Sequence, residues 1–250
     1  MDFTGCQTHS ISCANSHTNA TSVAELAIGL CLDVLKATPF HDAAFRQGKW
    51  HRPGSDEGFF PPRLLRGRSV GILGYGAIGR DIHRLLAGFD VDVATTAESG
   101  SQIAGIKTYD RATQFADFLA HSEILFVAAP LTSQTVGIIN HSAFSKMQKT
   151  SVIINVSRAE LIDVSALHTA LSEQSISGAA FDVHWRHKTE EEQHLVDEIV
   201  QMKNVVLSPH RGGFVAGELP HLAGAIENMR HILEGRPENV SGKIDLERGY

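Results

Sequence analysis

From Ser69 onward the chain alternates short unbroken apolar runs with stretches whose apolar residues recur every three or four positions. Val70–Leu73, Val91–Thr95, Ile124–Ala128, Val152–Val156, Ser177–Val183 and Val205–Leu207 have the length and composition of strands buried on both faces. Between them, Ile78, Ile82, Leu85 and Leu86 predict one face of a helix over 78–89. Phe115, Phe118 and Leu119 predict a short helix. Val164, Leu167 and Leu171 predict another, with Asp163 placed to cap it. Ahead of this region, Val23, Leu26, Ala27, Leu30 and Val34 recur at helical spacing and predict a helix ending before Pro39. The residues up to Asn19 are polar and without period, which reads as a loop or tail. The stretch 40–66, with Trp50, Pro53, Gly54, Gly58, Pro61 and Pro62, reads as an irregular connection. Leu222, Ile226, Met229 and Leu233 predict a closing amphipathic helix. Short apolar strands alternating with helices imply an α/β fold, a doubly wound parallel sheet of Rossmann type, here with flanking N- and C-terminal helices.

In such a sheet ligands collect beyond the carboxyl ends of the strands. The first of those ends carries Gly74-Tyr75-Gly76-Ala77-Ile78-Gly79, glycines spaced G-x-G-x-x-G between a strand and a helix. Gly74 allows the tight turn, Gly76 lets backbone amides approach a pyrophosphate, and Gly79 lets helix and strand pack closely. A bare match divides evenly between a plain turn and a phosphate cradle; the strand before it and the helix after it favour the cradle. Three further residues sit at strand ends. Arg158 can hold a carboxylate in a bidentate pair, or simply end a strand at the surface. Asp182 can accept a hydrogen bond from a nicotinamide carboxamide, or cap the next turn. His210, in Pro209-His210-Arg211-Gly212-Gly213, can deliver and take back a proton near neutrality.

Composition narrows the classes. A net charge of −6 argues against a dedicated nucleic-acid binder or a protein of anionic membranes. The hydrophobic content of 42% and charged content of 20% suit a globular protein of one large domain or two small ones. Cys6, Cys13 and Cys31 form no C-x-x-C pair and fit a reducing compartment. With no signal peptide visible and no run long enough to span a bilayer, the expected location is cytoplasmic. Of 14 histidines, His184 and His187 lie closest together but show no metal-binding pattern, and no metal is assigned.

The ordered set Val23-Ala24-Glu25-Leu26-Ala27, Gly74–Gly79, Pro130-Leu131-Thr132, Ile154–Arg158, Gly178–Val183 and Asn204–His210 resembles the D-isomer-specific 2-hydroxyacid dehydrogenase family over nearly the whole chain from Val23. The ending from Asn239-Val240 to Arg248-Gly249-Tyr250 is similar as well. The resemblance implies a nicotinamide cofactor, NAD or NADP, and a small 2-oxo or D-2-hydroxy acid as substrate. It implies that Arg158 anchors and polarises the oxo acid and that His210 donates the proton. It assigns Asp182 to the nicotinamide, Gly74–Gly79 to the pyrophosphate, and Pro130, Thr132, Val156, Ser157 and Gly212 to the cofactor's surroundings. It further implies residues 1–22 as a remnant or linker of a substrate domain, 23–218 as the dinucleotide-binding domain, and 219–250 as a C-terminal helix and tail.

Three features depart from the family pattern. His187 stands where a glutamate would support His210, which implies weak turnover unless a shifted loop brings in Glu190, Glu191 or Glu192. Ala97 stands where an acidic residue would hold the adenosine ribose. Glu98 is next to it, and the cofactor choice leans to NAD while staying open. Only a short polar stub precedes Val23 in place of a substrate domain, so the apolar face of the 23–35 helix is expected to be partly uncovered or buried in a homodimer. A second function class follows: a dinucleotide-binding module with little or no catalysis, acting through dimerisation or protein contacts.

Overall fold

The computed structural model describes residues 3–9, 11–50, 62–98, 101–185 and 189–246. Seven strands form one sheet: β1 (Ser69–Leu73), β2 (Asp92–Ala97), β3 (Lys107–Asp110), β4 (Ile124–Val127), β5 (Val152–Asn155), β6 (Gly178–Phe181) and β7 (Val205–Leu207). All neighbours pair parallel, in the order β3-β2-β1-β4-β5-β6-β7. The order turns back between β1 and β4, so the carboxyl ends of those strands flank the crevice where a doubly wound sheet takes ligands.

The period of two along each strand divides the core. Ile124 and Phe126 of β4, with Val152 and Ile154 of β5, join α2 (Ala20–Lys36) and α4 (Ala77–Leu86) in one apolar layer. Leu125, Val127 and Ile153 point the other way. They join α5 (Phe115–His121), α6 (His141–Phe144), α7 (Val164–Ser172) and α8 (Glu190–Gln201). Asp163 caps α7 as expected, its Oδ1 accepting from Ala166 N at 2.8 Å.

The structure alters several readings. The 78–89 helix is α4 followed by a 3-10 turn over Ala87–Phe89, and the second strand runs two residues further, to Ala97. The stub contains α1 (Phe3–Thr8), and part of the supposedly irregular connection is α3 (Thr38–Arg46). Pro39 sits in the first turn of α3, where its missing N–H costs nothing, so it opens one helix as well as closing another. β3 escaped notice because Lys107-Thr108-Tyr109-Asp110 is a half-exposed edge strand with no apolar run.

The expected uncovered helix is a different one. α2 is packed: Val23, Ala24, Ala27, Leu30, Cys31 and Leu35 are buried against the sheet and α4. Burial pushes the Cys31 thiol up to about 12. The uncovered apolar face belongs to α9 (Pro220–Leu233), where Leu222, Ile226, Met229 and Leu233 are exposed, Leu233 to 84%. Ala14 forms an antiparallel bridge with Lys243, and Ile244 N donates to Cys13 O at 2.9 Å, so the stub is paired with the C-terminal segment.

Candidate active site

At the end of β1 the three fingerprint glycines meet different surroundings. Gly74 has φ +99°, and a Cβ there would lie 2.5 Å from the backbone of Ala129, so both conformation and space require glycine. A Cβ on Gly79 would lie 2.2 Å from Gly74 O. At Gly76 a Cβ would meet nothing within 4 Å, which leaves open space in front of the N-terminus of α4. Gly76 is the N-cap residue, with no side-chain cap and no acidic residue in the first turn. The helix therefore presents amide donors and its positive end to that space, which suits the pyrophosphate of a dinucleotide. Tyr75 turns away from it; its hydroxyl shares a 2.5 Å hydrogen bond with Nδ1 of His83 on α4. Burial lowers the pKa of His83 and favours the neutral imidazole in that bond. Ala77 and Ile78 continue into the helix, half-buried.

β2 ends at Ala97, and Glu98 is the first residue beyond it, exposed at the same edge. After β4, the loop carrying Pro130 and Thr132 is held from beneath by buried Thr135. The Thr135 hydroxyl donates to Pro130 O at 2.7 Å and accepts from Thr132 N at 2.8 Å.

The β5 loop is fastened by Asn155, which is fully buried. Its Oδ1 accepts from Ser157 N at 3.0 Å and its Nδ2 donates to Arg158 O at 2.8 Å. Val156 and Ser157 are buried, and the Ser157 hydroxyl donates to Ala129 O. Arg158 is the exposed residue of this turn, its Nη1 donating to Ser157 O at 2.7 Å.

Asp182, 4% exposed beyond β6, uses both oxygens on the β7 loop. Oδ1 accepts from Ser208 Oγ at 2.6 Å and Arg211 N at 2.7 Å, and Oδ2 accepts from Gly212 N at 2.8 Å. The carboxylate thus anchors the turn that carries His210. That residue adopts φ +58°, and its N–H donates to Ser208 O at 3.0 Å. Gly212 is buried where a Cβ would lie 2.9 Å from Asp182 Oδ2 and 3.4 Å from Val23 Cα of α2. It shapes the loop from behind.

Two clefts open at this edge. One, of about 390 Å³, is lined by Ile78, Val156, Arg158, Asp182 and His210, together with Asn15–His17 and Asn19 of the stub. The other, of about 750 Å³, is lined by Arg158, Glu160, His184 and His210 against Val183, Val200 and Leu207. Arg158 and His210, 52 positions apart in the chain, therefore face shared space. His187 lies outside the described residues. Glu190, Glu191 and Glu192, a proposed replacement for the missing glutamate, form the first turn of α8 and line neither cleft. The sequence does not single out Thr135 in the loop after β4, Asn155 at the end of β5 or Ser208 just after β7. Asn155 carried a signal, an amide side chain ending a run of buried aliphatics. Among the described residues, no group of three or more histidine, cysteine or acidic side chains is placed to hold a metal ion. No helix among them is long and apolar enough to cross a membrane.

The sequence and the fold are similar to those of known proteins. The family model described as D-isomer specific 2-hydroxyacid dehydrogenase, NAD binding domain, matches residues 28–212. A glyoxylate/hydroxypyruvate reductase of Arabidopsis thaliana is 30% identical over 240 residues, covering 95% of this chain and 71% of its own. A glyoxylate reductase of Thermococcus kodakarensis is 32% identical over 202 residues, covering 80% of this chain and 59% of its own. The chain thus spans roughly three fifths to seven tenths of the length of these relatives. Among solved structures, the NADPH-dependent glyoxylate/hydroxypyruvate reductase of Sinorhizobium meliloti, in complex with NADP and malonate, superposes with a TM-score of 0.81 at 26% identity. It covers all of this chain and 75% of its own. With the parallel sheet, the glycine turn and the match over 28–212, the chain belongs to the D-isomer specific 2-hydroxyacid dehydrogenase family and carries that family's NAD binding domain.

Proposed function

We propose that this chain supplies the cofactor-binding and proton-donating half of an NAD(P)-dependent oxidoreductase that reduces small 2-oxo acids to D-2-hydroxy acids. The observation that carries the reading is the sharing of one cleft by Arg158, His210 and the fingerprint residue Ile78. The open face of Gly76 and the uncapped N-terminus of α4 receive the pyrophosphate. Pro130, Thr132, Val156 and Ser157 border the cofactor along the β4 and β5 loops, with Glu98 toward the adenosine ribose.

A bound dihydronicotinamide supplies the hydride. Arg158 pairs with the substrate carboxylate and orients the adjacent carbonyl. His210 donates a proton to the carbonyl oxygen as the carbon is reduced, leaving a hydroxyl, and the reverse transfer serves oxidation. Asp182 acts on this step through the loop: its three hydrogen bonds hold the Ser208 hydroxyl before His210 and the backbone of Arg211 and Gly212 after it. It remains a candidate contact for the nicotinamide as well. The exposed face of α9 supports self-association as a homodimer. The cysteine spacing, without a C-x-x-C pair, and a net charge of −6 support a cytoplasmic protein without nucleic-acid partners.

A second reading, dinucleotide binding with weak turnover, draws on one observation: His210 makes no side-chain hydrogen bond among the described residues. Fluorescence titration with NADH and NADPH, followed by assays on glyoxylate, hydroxypyruvate and pyruvate, separates the two. The reductase reading expects nicotinamide binding in wild type, Arg158→Ala and His210→Asn. It expects turnover reduced about 100-fold or more by His210→Asn. Binding without turnover favours the second reading, and absence of binding overturns both.

A further inference from the structure

The 750 Å³ cleft holds a charge that reduction of a two- or three-carbon oxo acid does not need. Glu160 lies two residues after Arg158, in a 3-10 turn over Ala159–Leu161. The turn is firmly seated: Ala159 and Leu161 are buried, and Glu160 O accepts from Gly137 N at 2.8 Å. The half-buried Glu160 side chain makes no hydrogen bond or ion pair among the described residues, even though Arg158 is so close in sequence. Their Cα atoms are at most about 7 Å apart. One guanidinium and one unpaired carboxylate thus border one cleft, and Val183, Val200 and Leu207 supply apolar wall. That volume is in the range of pockets that enclose ligands much larger than glyoxylate.

We propose that Glu160 sets substrate class, so that the site takes 2-oxo acids whose side chain ends in a cation, an ammonium or a guanidinium. Arg158 holds the α-carboxylate, the methylenes lie along the apolar wall, and Glu160 receives the cationic end in a charge-assisted hydrogen bond. The same carboxylate disfavours 2-oxo acids with a second carboxylate, because like charges would face each other across the cleft. This inference rests on the proposed 2-oxo acid site.

Equilibrium binding tests it without turnover. Calorimetry in saturating NAD⁺ or NADP⁺, which cannot reduce an oxo acid, compares 2-oxo-5-guanidinopentanoate, the neutral 2-oxohexanoate and the acidic 2-oxoglutarate, for wild type, Glu160→Gln and Arg158→Ala. Thermal unfolding checks that each variant is folded. Wild type is expected to bind the guanidino acid about fivefold more tightly than the neutral acid, and 2-oxoglutarate more weakly than either, as for a partly exposed ion pair. Glu160→Gln is expected to bring the three affinities together, and Arg158→Ala to weaken all three. Equal affinities in wild type, or an unchanged ranking in Glu160→Gln, overturn the role of Glu160 while leaving the 2-oxo acid site standing. No binding of any oxo acid overturns both.

Discussion

Replacing Asp182 with asparagine tests whether this side chain is first a structural anchor or first a cofactor contact. The amide matches the carboxylate in shape but carries two donors in place of one acceptor. With its oxygen kept toward Ser208 Oγ and Arg211 N, its NH₂ faces Gly212 N–H across a contact that is 2.8 Å in the native protein. Flipping the amide only moves the donor–donor conflict to Arg211 N–H, because the Ser208 hydroxyl can turn to accept. The site is 4% exposed, so water does not readily replace the lost acceptor. A buried unsatisfied donor costs about 1–3 kcal/mol, and the two surviving bonds lose their charge assistance. A total of roughly 2–3 kcal/mol lowers Tm by roughly 5–10 °C in a chain of this size. The assay is thermal unfolding by circular dichroism without nucleotide. An unchanged Tm, with nicotinamide affinity alone reduced, would refute the anchoring role and make cofactor contact the main task of Asp182.

Two further outcomes follow from the same structure. Gly76→Ala and Gly79→Ala should separate binding from stability. The first adds a methyl to open space, so Tm should hold while NADH affinity falls. The second drives a methyl into Gly74 O and should lower Tm as well, by an overpacking cost of about 1–3 kcal/mol; denaturant midpoints and fluorescence titrations on both variants check this. Burial lowers the pKa of His121 below its ordinary 6.5, outweighing Asp92 Oδ2, which faces Nε2 at 3.7 Å without forming a hydrogen bond. Below pH 6.5 the unfolded chain binds a proton that the folded chain resists, so stability should fall from pH 7.5 toward 5.5. His121→Gln should flatten that slope in urea midpoints taken across the range, and an unaltered slope would remove His121 as its source.

The sequence by itself determined the sheet and its ligand edge. Unbroken aliphatic runs such as Val152–Ile154 are stable only where both faces are covered, and G-x-G-x-x-G between a strand and a helix has few other uses. Arg158, Asp182 and His210 were legible because position after a strand is a local property. Local patterning could not show β3, whose residues are half exposed at an edge, or α3, where Pro39 reads equally well as a stop or a start. The tertiary structure alone decided what depends on residues far apart in the chain. It turned Asp182 toward the His210 loop 26–30 positions away and covered α2 with α4 and the sheet. It left α9 bare and set Glu160 on the same cleft as His210. The physical reason is the same in each case: periodicity reports which face of an element is apolar, whereas a buried carboxylate's partners and a helix's cover depend on which elements the fold brings together.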